Sequence, residues 1–208
     1  MYLILDFSKT LCIAIVHNNI FFKKEINTKK NISEIMFNEI FKFFKTSKKD
    51  IKKLKKIYIL TGPGSFTGIR SSLTFAKTLR VKLKLEIYGL SKFEFLNFSE
   101  QEGNLRKNRV IFLHFKDNKF FIQSFNNYKP TGKSKLINIE KKRLIFDKKT
   151  SYIYDNKILR NYIDEEVLLE LNDNFRNVSY NLNKLPHIIK NNMIENNKPR
   201  PLYVINNF

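Results

Sequence analysis

A chain of 208 residues with 42% apolar content and 20 phenylalanines can bury a substantial core, which excludes a disordered protein. A single cysteine excludes an intramolecular disulfide, and no apolar run approaches the ~18 residues that a membrane helix needs. The net charge of +20 invites a nucleic-acid reading, but 31 lysines against 8 arginines, 25 asparagines and no tryptophan is the composition an AT-rich coding sequence imposes. The lysines are spread along the chain, so a solvated basic surface and a direct RNA contact both stay open.

The chain starts on a strand pattern, residues 2–8, with no basic leader or cleavage site, so the expected location is the cytoplasm. Residues 11–16 and 20–26 read as two more strands, and His17-Asn18-Asn19 as the tight turn between them, since Asn tolerates positive φ. Three strands joined by short turns make an antiparallel meander. Asp6, Ser8 and Thr10 fall at the end of the first strand and in its turn. Turn chemistry explains all three, and a carboxylate followed by hydroxyls also suits a phosphate or a metal-bound water. Cys12, inside an apolar strand, reads as a buried thiol.

A helix is expected over 32–46. Ile32, Met36, Ile40 and Phe43 line one face, and Ile35, Phe37, Phe41 and Phe44 widen it beyond one stripe. Such a helix has a core face and surplus apolar surface that suits a partner. A lysine-rich loop follows, then the apolar strand 57–60. Next comes Gly62-Pro63-Gly64-Ser65-Phe66-Thr67-Gly68-Ile69-Arg70, holding three of the six glycines, and a helix over 67–83. Thr67, or Ser65 before it, can cap that helix. Gly62, Gly64, Ser65 and Thr67 therefore form either a structural turn or an anion site at a helix start. The loop is neither a P-loop, for no Gly-Lys-Ser/Thr follows, nor a dinucleotide fingerprint, being one residue too long.

Residues 85–90 read as a strand and 92–98 as a helix, so the first half is β-β-β-α-β-α-β-α around a mixed five-stranded sheet. The polar run 100–109 is the expected boundary between subdomains 1–100 and 101–208. Strands are expected at 110–115, 120–125, 136–139 and 152–154, with turns at Asp117-Asn118 and Pro130-Thr131-Gly132. Residues 157–193 are weakly helical and 201–205 extended. The only repeat is a loose one: both halves start with a hydrophobic hairpin. His17, His114 and His187 have no partners at metal-site spacing, and Ser65 is not in a hydrolase elbow. No catalytic constellation is visible, which favours a scaffold or binding role.

Residues 62–70, after an apolar strand, resemble the signature of the bacterial TsaB (YeaZ) family. Leu3-Ile4-Leu5-Asp6-Phe7-Ser8, the hairpin with Cys12, Ile87-Tyr88-Gly89-Leu90-Ser91 and Pro201-Leu202-Tyr203 resemble further parts of it. Where that family often has a His near the start of the first helix, this chain has Asn31 and Ser33. The resemblance implies an α/β fold of the actin-like/Hsp70/sugar-kinase type, with two subdomains. It also implies a non-catalytic role in making threonylcarbamoyladenosine on tRNA, beside the metal-containing catalytic subunit TsaD and the ATPase TsaE. No cofactor is then required by this chain; ATP and metal belong to the partner subunits, and tRNA is reached through the complex. The family's TsaD-binding helices correspond to 32–46 and 67–83, which makes Ile35, Phe37, Phe41, Phe44, Arg70 and Thr74 the candidate interface. The same face suits self-pairing of the isolated chain. Two other classes remain as alternatives: an enzyme of the same superfamily, glycoprotease-like or kinase-like, and a basic RNA-binding module.

Overall fold

The computed structural model describes residues 1–100, 105–139, 144–190 and 199–202. The chain divides into two units: unit 1 is Met1–Lys92 with Pro186–Tyr203, and unit 2 is Phe93–Leu185 with Val204–Phe208.

Unit 1 is built on β1 (Tyr2–Asp6), β2 (Leu11–His17), β3 (Ile20–Ile26), β4 (Lys56–Leu60) and β5 (Glu86–Leu90) in the order β3-β2-β1-β4-β5. The first three strands run antiparallel, and β4 and β5 run parallel to β1. The interior strands β1, β2 and β4 are near-continuous apolar runs because both faces are covered; β3, at an edge, alternates. α1 (Ile32–Thr46) and α2 (Phe66–Leu83) pack one face of this sheet. Leu3, Leu5, Ile57 and Ile59 meet Met36, Ile40 and Phe43 from α1, and Ile69, Leu73 and Ala76 from α2. α3 (Lys92–Ser99) follows β5 and, past Lys92, belongs to unit 2. The lysine-rich loop contains a 3-10 turn, Ile51–Lys53, whose start is capped by the Asp50 side chain.

Unit 2 repeats that topology. β6 (Asn108–Lys116), β7 (Lys119–Asn126), β8 (Lys129–Asn138), β9 (Thr150–Tyr154) and β10 (Phe175–Asn177) stand in the order β10-β9-β6-β7-β8. β6, β7 and β8 form an antiparallel meander, and β9 and β10 extend it in parallel. Read from the meander outwards, the two sheets have one strand order, a repeat the residues do not carry. α4 (Glu165–Leu171) lies between β9 and β10 and contributes Leu171 to a core with Phe112, Phe120, Tyr152, Tyr154 and Phe175. α5 (Leu185–Lys190), which past Leu185 belongs to unit 1, closes the described part of the region expected to be weakly helical. Two mixed sheets, each with flanking helices, make this an α/β fold of the actin-like/Hsp70/sugar-kinase type.

Three expectations need correction. Pro130-Thr131-Gly132 is not a chain reversal; it lies in β8, and the turn comes earlier, at Asn127, whose φ is 52°. An edge strand tolerates proline. The β7–β8 pairing is irregular between Ile122 and Ser124, and the buried Gln123 fills the gap: its Nε2 lies 3.2 Å from the Gly132 carbonyl and 3.1 Å from that of Ser124. β10 was not anticipated, being only three residues long. The apolar stretch 167–171 is helical as expected, but much of the surrounding region is 3-10 turns. Residues 101–104 of the polar boundary, 191–193 and 203–205 lie outside the described residues.

Candidate functional site

The glycine loop is fastened by backbone bonds on several sides. Thr61 N–H donates to the Leu90 carbonyl at 2.9 Å, and the Thr61 carbonyl accepts from Leu202 N–H at 2.9 Å. The Gly62 carbonyl accepts from Lys92 N–H at 2.7 Å, and Ser65 N–H donates to the Ser8 carbonyl at 2.6 Å. The Gly62–Pro63 peptide is cis. Gly64 and Gly68 lie directly against the end of β1. A Cβ on Gly64 would sit 2.4 Å from the Ser8 carbonyl oxygen, and one on Gly68 only 1.9 Å from that of Phe7. Side chains at either position would push the loop off the sheet. The side of each glycine that a Cβ would occupy is taken by the backbone at Phe7 and Ser8.

Ser65, not Thr67, caps α2: its hydroxyl accepts from Gly68 N–H at 3.2 Å. Ser65→Ala is expected to cost about 1 kcal/mol, and Ser65→Gly less, measured as a shift in the urea midpoint. Gly64, Ser65 and Thr67 are exposed and Gly62 is buried.

Asp6 and Ser8 are both buried, and Asp6 accepts from Ser8 N–H at 3.0 Å and from the Ser8 hydroxyl. Thr10 does not join them. Its hydroxyl donates to Glu25 at 3.0 Å, and Glu25 is also paired with Lys23, the two bonds holding its carboxyl below the usual range. Among the described residues no group of three or more His, Cys, Asp or Glu could hold a metal ion.

Cys12 is opposite Asp6 on one side and Glu25 on the other, deep in the sheet. Burial, then the Asp6 charge, pushes its thiol up to about 12. The native thiol should therefore resist a disulfide reagent at pH 8 and react promptly once the chain is unfolded; fast native reaction would refute its burial. Because the folded pKa is raised above an unfolded value of about 8.5, this group's contribution to stability is complete below pH ~8.5 and is lost as pH climbs towards 12.

The interface candidates separate. Phe44 is 3% exposed and belongs to the core, and Ile35 packs partly against it. Phe37 and Phe41, one helical turn apart on α1, remain 45% and 51% exposed. Phe37 sets its edge against Phe75 of α2, ring centroids 5.5 Å apart. On α2, Phe66 is 50% exposed, with the Arg70 guanidinium 4.1 Å from its ring centroid, and Thr74 is exposed one turn on. The two helices thus carry exposed aromatic surface at their outer sides. Sequence reasoning missed Phe66; its spacing of four from Arg70 and again to Thr74 was the available signal.

His114 is a structural residue: its ring lies against Phe120, and its Nε2 and Nδ1 sit 3.0 Å from the Asp117 carbonyl and 3.3 Å from the Asn156 amide. No helix among the described residues is long and apolar enough to cross a membrane.

Fold and loop together define a protein of the actin-like/sugar-kinase class whose glycine loop packs on the segment that follows its first strand, Phe7 and Ser8. A family model described as "TsaD: tRNA N6-adenosine threonylcarbamoyltransferase" matches residues 21–111, less than half of the chain. The chain is 31% identical over 84 residues to the tRNA threonylcarbamoyladenosine biosynthesis protein TsaB of Buchnera aphidicola subsp. Schizaphis graminum. That alignment spans 40% of this chain and 40% of the relative's length. A Pseudomonas aeruginosa crystal structure described as an uncharacterized protein with similarity to peptidase YEAZ aligns with TM-score 0.63 at 13% identity, over 98% of this chain and 99% of the other. YeaZ from Pseudomonas aeruginosa aligns with TM-score 0.55 at 14% identity, over 74% of each chain. The likeness to TsaB thus holds over the 84 aligned residues, and the likeness to the two Pseudomonas aeruginosa structures is one of fold.

Proposed function

We propose that this chain is a non-catalytic subunit that binds and activates TsaD, in the complex that adds a threonylcarbamoyl group to the adenosine beside the anticodon of tRNAs. The observation that carries the reading is the exposed aromatic surface of the two helices: Phe37 and Phe41 on α1, and Phe66 beneath Arg70 on α2. Three phenylalanines left half in water are costly unless they are covered. At roughly 100 Å² of exposed ring each, covering one is worth about 2 kcal/mol. TsaE is the third component, ATP and metal act at the partner subunits, and the work is cytoplasmic.

The matching family model bears the name of a transferase, which favours a second reading: this chain transfers the group itself. Against it, the three histidines stand far apart at 17, 114 and 187, none at a metal-site spacing from another. Co-expression of the chain with TsaD from the same organism, followed by co-purification and assay of each subunit alone and together, decides between them. A stable pair active only when combined is expected. Modification of tRNA by this chain alone would establish the transferase reading, and the absence of any pair would defeat the subunit reading.

A further inference from the structure

Ten of the 31 lysines, from two stretches far apart in sequence, gather at one end of unit 1. β1, β4 and β5 run parallel, so α1 and α2, which return between them, both end where those strands begin. The last residues of α1 with the following loop (45–56), and the last residues of α2 (77–84), therefore meet at the same end. These 20 residues hold eleven Lys and Arg against one Asp, a net +10 of the whole chain's +20. The loop is seated there by contacts: Lys55 N–H donates to the Met1 carbonyl at 3.0 Å, and Lys49 Nζ lies 5.2 Å from the Phe22 ring centroid. His17, the last residue of β2, is held below the usual imidazole range, by desolvation first and then by Lys49, the N-terminus and Lys53.

Ordinary explanations absorb little of this charge. Asp50 is engaged in capping the Lys52 N–H, and among the described residues Lys56, held by Glu86 at 3.3 Å, is the one member of the set in an ion pair. Two helix C-termini present about half a negative charge each, which offsets roughly one of the ten. The exposed large apolar residues at this end are Ile20 and Val81, too few for the apolar face with which an amphipathic surface enters a bilayer.

We infer that this basic end of unit 1, centred on Lys48, Lys49, Lys52, Lys53, Arg80 and Lys82, is a binding surface for the phosphate backbone of RNA. The choice of RNA among polyanions rests on the tRNA-linked function proposed above. The surface adds to that function a direct contact by this chain, made without its partner.

The test uses the full chain, alone, with bulk tRNA from 50 to 200 mM KCl. Changing Lys48, Lys49, Lys52 and Lys53 together to Gln should weaken binding at least tenfold and flatten the log–log salt slope by roughly three. Changing Lys129, Lys133 and Lys135 on β8 to Gln should alter affinity by less than twofold. Should the quadruple change compromise folding, Arg80→Gln with Lys82→Gln tests the same end from the other helix, with an expected loss of about threefold or more. Equal losses for the two surfaces would overturn the inference in favour of generic attraction. So would binding to phosphatidylserine vesicles in preference to tRNA. A chain that pairs with TsaD but shows no such site sinks this inference alone; one that binds tRNA here but does not pair sinks the subunit reading alone.

Discussion

Phe41→Glu is expected to abolish co-purification with TsaD while leaving the chain folded. The ring is half in water, so its removal from the free protein costs little. In a complex the same position would be dry, and an unpaired carboxylate there loses both the ring's burial and its own hydration. The sum is about 3–5 kcal/mol, a fall in affinity of several hundred-fold or more. Phe37→Glu should weaken pairing similarly but also cost some stability, because that ring packs on Phe75. Phe44→Ala distinguishes the two sides of the helix: it should destabilise the fold by about 3 kcal/mol, since the residue is core. Undiminished pairing by a folded Phe41→Glu chain would remove this face from the interface.

Gly68→Ala should damage the fold more than any other single methyl addition in the loop. The new carbon would lie 1.9 Å from the Phe7 carbonyl oxygen, a backbone atom with no rotamer to escape into. The start of α2 must move away from β1, breaking the contact that seats the loop. Overpacking against backbone is expected to cost about 3 kcal/mol or more, a drop of roughly 10 °C or more in melting temperature by calorimetry. Gly132→Ala is the comparison: with φ at +75° it meets nothing within 4 Å, so only the left-handed backbone is penalised, by about 1 kcal/mol. Melting of the Gly68→Ala chain within two degrees of the parent would show that the two segments are not in firm contact.

The first half was largely legible because its signals are local. The meander, α1, β4, α2 and β5 each announce themselves by periodicity or turn residues, and their bounds agree closely with the pattern. What α1 buries was not legible. A helix apolar around most of its circumference does not say which of Phe37, Phe41 and Phe44 is core; only packing against the sheet decides that. The glycine loop was ambiguous for a related reason. Tight turns and anion cradles use the same residues, and the backbone packed against Gly64 and Gly68, at Phe7 and Ser8, comes from nearly sixty residues earlier. The basic end of unit 1 was hidden by sequence distance: 45–56 and 77–84 meet only because two helices run the same way. In unit 2 the strand through Pro130 and Gly132 was misread because an edge position forgives both residues, and Gln123 supplies bonds that no local pattern reveals.

The bond from Leu202 to Thr61 bears on how the chain folds during synthesis. Residues 1–92 leave the ribosome early with most of their sheet, yet the unit they belong to also claims residues 186–203. Pro199 is packed so closely on Gly89 that a Cβ there would lie 2.8 Å from it. Unit 1 is thus interrupted by residues 93–185 and cannot complete its contacts until Pro199 and Leu202 have been made. At roughly 5–20 residues per second, that leaves a nascent intermediate with its loop half-fastened for several seconds. During that interval the aromatic faces of α1 and α2 are already exposed, which makes it the period when chaperones, or early capture by a partner, have most to protect.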